Sequence, residues 1–544
     1  MGEFMKKTCI FILLLVTLNL FSQMVEEEWV NFYSGYLARG SEILVTDSYE
    51  DFIYTAERDG NSISTMKVND QGEAVWTGTY SFTGTCYANP SEIKIDQDNN
   101  VYVSGFCDNW NLDVTEFIVI KYDQDGNELW ASVIDYVDYI PNSNVRLDID
   151  QQQNVYIASR YATGTTNSDY LIVKFDINGQ ELWNVTHDGI YNDDVPSDIL
   201  VDASGNVFVV GLSEMSNDDY DILLVKYNSS GILEWEERYN AHCQYNYFYP
   251  RMILDESENI CLIGMQTTED QDDYDFAIMK YDQEGEMLWS QSLSGVYQNS
   301  WDSPKDLIID EDGNIFILGN IQNEYSYTDM TILKYSSDGD LIWQEIYSSE
   351  YWATNNYAAA ITLDIYENIY ITGMIEYCFN TIKYTPEGEL LWEIVWDEPD
   401  GRYDAYVRDI LVQSSGDVYI LGYNNYTGIT LIRYTQPGFT DVGNNIIPQV
   451  QATLSNYPNP FNPSTTISFQ TTNSYENVQI EIYNLKGQKV REFDVIMSGV
   501  EGESNSVTWN GTDKNSQPVS SGIYFYQLKV DGKPIAKNKC LMLK

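Results

Sequence analysis

The chain has 544 residues, enough for more than one domain, and its 44 Tyr, 19 Phe and 13 Trp supply ample ring surface for sheets to bury. Acidic side chains number 83 against 29 basic ones, a formal charge of −54, and a field of that sign excludes nucleic acid and anionic lipid as partners. From residue 452 onward eight acidic face nine basic side chains, so the acidity belongs to what precedes.

Residues 1–23, MGEFMKKTCIFILLLVTLNLFSQ, set Lys6 and Lys7 before an apolar run from Cys9 to Leu20, with small Ser22 at a cleavage point. This is the pattern of a secretory signal peptide. Cys9 opens the apolar run and is wrongly placed for lipidation. No later segment approaches the ~18 uninterrupted apolar residues of a spanning helix, so the mature chain is expected outside the cytoplasm with no membrane span.

Tryptophan then recurs at Trp29, Trp76, Trp130, Trp183, Trp235, Trp289, Trp343 and Trp392. Between them stand Lys67, Lys121, Lys174, Lys226, Lys280, Lys334, Lys383 and Arg433, so one unit of roughly 52 residues has been copied eight times. In the copy from Ser197 to Asn240 a short apolar strand, the turn Asp202–Asn206, a returning strand, a nearly all-apolar third strand and a fourth carrying Trp235 form an antiparallel meander of strands A to D. A sheet this small, apolar on both faces, is covered by packing radially among others like it, which predicts a β-propeller over residues 24–436. Segments such as IDEDGNIFILG (Ile309–Gly319) and DYDFAIMKYDQEGEMLW (Asp273–Trp289) resemble the bacterial SBBP propeller repeat, a likeness that covers about residues 28–435. Residues 408–434 supply strands A to C of a last copy that lacks its Trp strand, while the chain begins with an orphan, EEEWVNFYSG. The N-terminal strand is therefore expected to complete the last blade and close an eight-bladed ring.

The ladders Asp96, Asp150, Asp202, Asp255, Asp310, Asp364 and Asn100, Asn154, Asn206, Asn259, Asn314, Asn368 read as Asx turns with positive φ at Gly and Asn, not as metal sites. Tryptophans are expected to wedge between blades with their N–H groups on backbone. Cys86 and Cys107 flank an antiparallel pair closely enough for a disulfide. The B–C and D–A connections (Phe106–Thr115, Tyr161–Ser168, Thr186–Pro196, Asn240–Pro250, Ser292–Pro304, Ser348–Tyr357) are long and variable, so function is expected on that face. It carries the candidate ligand residues Tyr191, Tyr245, Tyr247, Tyr297, Trp301, Tyr351 and Trp352, whose rings suit sugars or extended peptides. A further acidic ladder, Glu116, Asp169, Asp221, Asp275 and Asp329, opens strand C. His187 and His242 have no repeated partner and read as solvated loop residues. No nucleophile elbow, metal-ligand cluster or cofactor motif is present, so neither catalysis nor a cofactor is expected. The motif Asp123, Gly126, Trp130 is similar to the docking motif of eight-bladed quinoprotein dehydrogenases, but it is one residue tighter and lacks the threonine before the glycine.

Residues 437–453 read as a linker, and 454–544 as a small immunoglobulin-like β-sandwich of strands about ten residues apart. Tyr457-Pro458-Asn459-Pro460-Phe461, the turn at Gly487, Ser521-Gly522-Ile523-Tyr524 and Lys544 resemble the type A C-terminal sorting domain of the type IX secretion system. The resemblance implies recognition by that translocon and delivery to the outer surface or the medium. The expected protein is a monomeric, secreted or surface-displayed binding scaffold for an extracellular glycan or protein. A carbohydrate-active or other extracellular propeller enzyme, and a purely structural matrix component, are the competing readings.

Overall fold

The computed structural model describes residues 25–33, 43–109, 112–138, 144–162, 167–189, 193–216, 219–243, 249–267, 273–295, 300–323, 325, 327–348, 355–375, 378–396, 405–424, 428–436, 439, 453–457, 461–470, 478–484, 489–495, 505–514, 517–530 and 533–542. The signal-peptide reading at 1–23 lies outside them. The chain divides into two compact units, residues 1–439 and 440–544. Among the described residues there is no helix, hence none long and apolar enough to cross a membrane.

Eight four-stranded antiparallel sheets make up the first unit. The fourth runs Asp194–Val201, Val207–Ser216, Asp219–Tyr227, Leu233–Cys243. Its two middle strands are buried almost throughout, because neighbouring sheets cover both faces, while the Trp235 strand is half exposed. The strand A to B turn is fixed by Asp202: its Oδ1 accepts the amides of Ser204 and Asn206 at 2.9 and 2.8 Å, and its Oδ2 accepts Asn206 Nδ2 at 2.7 Å. Positive φ falls not on the Asn ladder, as expected from sequence, but one residue earlier, on Asn99, Gln153, Gly205, Glu258, Gly313 and Glu367. The Asn is instead the donor that locks the Asp.

The innermost strands begin at Leu44, Tyr87, Arg146, Asp194, Arg251, Ser303, Asn356 and Ala405; each contacts the next, and the last contacts the first. That closed cycle is consistent with an eight-bladed propeller. The eighth sheet is assembled from both ends of the unit: Glu26–Tyr33 pairs with Gly428–Thr435, setting Trp29 opposite Arg433 as Trp76 stands opposite Lys67 and Trp235 opposite Lys226.

Each such pair reaches into the following sheet. Lys67 Nζ and Trp76 Nε1 both donate to Gln124 O at 3.1 Å, Lys226 and Trp235 to Gln283 O at 2.9 and 3.0 Å, and Lys280 and Trp289 to Ser337 O at 3.2 and 3.1 Å. The acceptor lies in the C–D turn, whose glycine packs flat on the incoming indole: a Cβ on Gly126, already at φ 84°, would stand 2.6 Å from Trp76. The same lysines face the Asp ladder, Lys121 at 3.6 Å from Asp96 and Lys280 at 2.9 Å from Asp255, so both ladders belong to one structural latch.

The eighth sheet has no C–D turn, since its fourth strand arrives from the N-terminal end. Gln436 supplies the missing acceptor: its Oε1 takes Lys383 Nζ at 3.2 Å and Trp392 Nε1 at 3.1 Å, and its Nε2 donates to Tyr370 and Gly416 O. At the final junction Trp29 Nε1 and Arg433 donate to Asp70 O, at 2.8 and 2.5 Å. Cys86 and Cys107 are joined, with Cα atoms 5.8 Å apart.

The second unit pairs Thr453–Tyr457, Thr465–Gln470 and Asn505–Trp509 in one sheet, and Lys489–Val495, Val478–Asn484, Gly522–Val530 and Lys533–Met542 in another. Ile467, Phe469 and Trp509 from the first share a core with Ile480, Ile482, Tyr526 and Leu528 from the second. Of the motif residues, Phe461 is buried, bridges to Met542 and packs its ring 5.3 Å from Trp509, which meets Tyr524 edge-on at 5.0 Å. Tyr524 donates to Ser520 O at 2.8 Å, and Gly522 holds φ 150°. Tyr457 lies in the first strand, whereas Pro458, Asn459, Pro460, Gly487 and Lys544 lie outside the described residues.

Candidate functional site

Of the candidate ligand residues only Trp301 falls within the described chain; Tyr191, Tyr245, Tyr247, Tyr297, Tyr351 and Trp352 lie outside it. The connections meant to carry them are shorter than the apolar runs suggested. Strands extend to Asn109 and resume at Val114, and run on to Cys243, because the backbone ladder continues through polar residues once a neighbour is in register.

Trp301 sits just before the inner strand Ser303–Ile309 and is tied to the preceding sheet by a parallel bridge to Tyr274. Two backbone hydrogen bonds fix it, Tyr274 N to Ser300 O and Asp302 N to Tyr274 O, both 2.9 Å. Its ring rests 5.2 Å from that of Tyr274 and remains 47% exposed. Next to it in the chain, fully buried Asp302 accepts the Gln322 and Gly295 amides at 2.8 and 2.5 Å and Ser300 Oγ at 2.9 Å, while Asp273 accepts Ser300 N at 2.8 Å. Asp275, from the strand C ladder, lies in the field of Asp273 and Asp302; burial, aided by these carboxylates, pushes it up to about 6.

The same juxtaposition recurs two sheets earlier. Oxygens of Asp169, Asp188 and Asp194 lie within 4.8 Å of one another, Gly189 N donates to Asp194 at 2.6 Å, and burial pushes Asp194 up to about 6. In the seventh sheet the partner is an amide, and Asn356 Nδ2 donates to Asp329 at 3.2 Å. At Asp329 the ladder thus fastens strand C of the sixth sheet to the start of strand A of the seventh, whereas Asp221 accepts the Ala241 and His242 amides of its own sheet at 3.0 and 3.4 Å. The trio at Asp169 has ligand spacing for a cation.

The histidine reading needs a correction. His187 is buried, its Nδ1 2.9 Å from Tyr227 Oη and its Nε2 3.1 Å from Glu236, between the rings of Tyr170 and Tyr227. A lone histidine gave no sign of this, because both tyrosines are distant in sequence. His242 is the solvated one, half exposed and 3.2 Å from Asp219.

Residues 455–542 match the family model of the secretion system C-terminal sorting domain. No curated protein matches the chain. Solved structures similar to it include a protein of unknown function from Bacteroides caccae (13% identity over 53% of this chain and 92% of that one, TM-score 0.31). Others are polysaccharide lyase Uly1 (10%, 74% and 91%, TM-score 0.39) and the β-propeller domain of the Trilobed protease from Pyrococcus furiosus (12%, 66% and 99%, TM-score 0.37). Likeness this distant does not bear on activity. The sorting domain does bear on destination: it engages the secretion machinery and sends the protein by the type IX route to the cell surface or the extracellular space.

Proposed function

We propose that the eight sheets form a propeller of SBBP-type repeats that binds an extracellular glycan or protein on the face of its long connections, without turning it over, and that an immunoglobulin-like sorting sandwich exports it as a monomer. The observation that supports this reading is Trp301. The residue is 47% exposed, although a backbone bridge and the Tyr274 ring hold it in place. A rigid exposed indole suits a sugar ring, whose apolar face stacks on it.

A glycan and peptide array on the exported protein is expected to give a specific hit that Trp301→Ala weakens by ~1–3 kcal/mol. Because the indole buries little on the protein itself, the melting temperature should stay nearly constant. Loss of stability in step with binding would make the ring structural, and turnover of the hit would make the protein an enzyme.

A further inference from the structure

Each inner strand is a free edge facing the axis of the ring, and its amides need acceptors. Carboxylates of the preceding sheet provide them. Asp409 accepts Ile43 N and Leu44 N at 3.1 Å, Glu92 accepts Leu147 N at 2.7 Å, Asp198 accepts Met252 N at 3.0 Å and Asp306 accepts Ile361 N at 3.1 Å. The acids that line the axis are thereby committed to backbone.

Of the cations at this level, Arg251 pairs with Asp198 at 3.6 Å and with Asp306 at 3.9 Å, and two others stand at bulges. Register slips by one residue near the start of several inner strands, between Pro90 and Glu92, Pro196 and Asp198, Pro304 and Asp306, and Val407 and Asp409. The extra residue of such a bulge is turned out of the ladder. In the second and fourth sheets it is a serine that bonds the next inner strand, with Ser91 Oγ accepting Val145 N at 3.2 Å and Ser197 Oγ donating to Pro250 O at 2.6 Å. In the sixth and eighth it is Lys305 and Arg408. Lys305 is open to water, yet protein surrounds it, as befits a side chain inside the ring. Its ammonium has no hydrogen bond or ion pair among the described residues. Arg408 lies over the Tyr423 ring at 5.4 Å, with its Nε unbonded.

Arg146 and Arg251 open the inner strands of the third and fifth sheets, at the same end of the axis. The third and eighth sheets do not adjoin the sixth, so Arg146 and Arg408 act on Lys305 across the axis. Burial, with the guanidiniums of Arg408, Arg251 and Arg146, pushes its ammonium down to about 8 against the opposing charge of Asp306.

We propose that this end of the axial channel binds an oxyanion, a carboxylate, sulfate or phosphate group, between Lys305 and Arg408. Ammonium and guanidinium donors set around a partly enclosed, wet space hold such a group by charge-assisted hydrogen bonds. The site stands independently of the Trp301 reading. The group comes either as a free ion or as the acidic substituent of a saccharide entering from the long-connection face, where these strands begin.

The test is calorimetric titration of the full chain, at constant ionic strength, with sodium sulfate in one arm and an oligogalacturonate in the other. One saturable site is expected in at least one arm: sulfate alone identifies a free ion, and tighter oligogalacturonate binding identifies an acidic saccharide. Lys305→Ala should weaken it about tenfold or more, Lys305→Gln should do the same, and Lys305→Arg should largely retain it. Trp301→Ala should leave sulfate affinity unchanged, which separates failure of this site from failure of the loop-face reading. Since Lys305 makes no bond that folding needs, the variants should melt like the parent. No saturable heat in either arm, or an affinity in Lys305→Ala and Lys305→Gln equal to the parent's, would overturn the proposal.

Discussion

Asp108, Asp194 and Asp275 are buried in the eight-sheet unit among amides, hydroxyls and other acids, and burial pushes all three up to about 6. Glu481 is as deeply buried in the C-terminal unit. There Lys489, Tyr483 at 2.6 Å, Lys529 at 2.9 Å and Gln527 at 2.8 Å all donate to it; burial alone would raise it, but these donors hold it well below the usual carboxylate range. The contrast follows the local partners: Asp108, Asp194 and Asp275 face amides, hydroxyls and other acids and are raised, whereas Glu481, like Asp255 beside Lys280 in the first unit, is lowered against burial by the cations that meet it. Each unit is therefore expected to fail under conditions the other tolerates.

Truncation after Phe439 separates the two most completely. Surface delivery should be lost altogether while the eight-sheet unit still folds, checked by fractionation and circular dichroism of the retained protein; normal delivery would break the division of labour. Deleting residues 25–33 is expected to do the reverse. It removes the fourth strand of the eighth sheet together with Trp29, at about 3–5 kcal/mol or more in a denaturant melt, and leaves the C-terminal unit's transition in place. A melt like the parent's would show that the N-terminal strand does not close the ring.

Gln436→Ala should have a smaller effect. Lys383 and Trp392 lose their shared acceptor, and about 1–3 kcal/mol should go from the first unit alone. Smallest is the response to pH, and its sign differs between the units. A carboxyl raised from 3.8 to about 6 binds its proton more tightly folded than unfolded, so its stabilisation is full below 3.8 and fades as pH rises through 6. The first unit should accordingly melt higher at pH 5 than at pH 8, and Asp194→Asn with Asp275→Asn should flatten the difference. Glu481 stabilises above its ordinary value of 4.5, and that contribution drains away as pH falls below it, so the second unit should weaken on acidification. Parallel pH profiles in the two units would break the comparison.

What the sequence made legible was whatever recurs. Trp and Lys keep step because one turn of the following sheet receives both, and the missing Trp strand beside Arg433 was enough to predict the pairing with residues 26–33. The Asp and Asn ladders were visible as a pattern, but the residue that carries positive φ was not, because it changes from Asn99 to Gln153 to Gly205. Singular solutions left no trace: Gln436 does once, with a side chain, what backbone carbonyls do in the other junctions. Lys305 and Arg408 occupy matching places only when counted from a bulge, which exists in the register of two strands and not in either strand alone. Of the candidate ligand face, Trp301 was found by its residue type, and the meeting of Asp273, Asp275 and Asp302 only by their approach in space.

The eighth sheet also sets an order of events. Glu26–Tyr33 is made before its partner, Gly428–Thr435, so during synthesis the first strand waits for some four hundred residues without a mate. An unpaired strand recruits other strands, and Glu26, Glu27 and Glu28 charge this one against doing so. Sixteen residues separate Gln436 from the first strand of the sorting domain at Thr453. The address label is thus synthesised only after the pieces needed to shut the ring are in hand, and a ribosome that stops early leaves an open ring carrying no instruction to leave the cell.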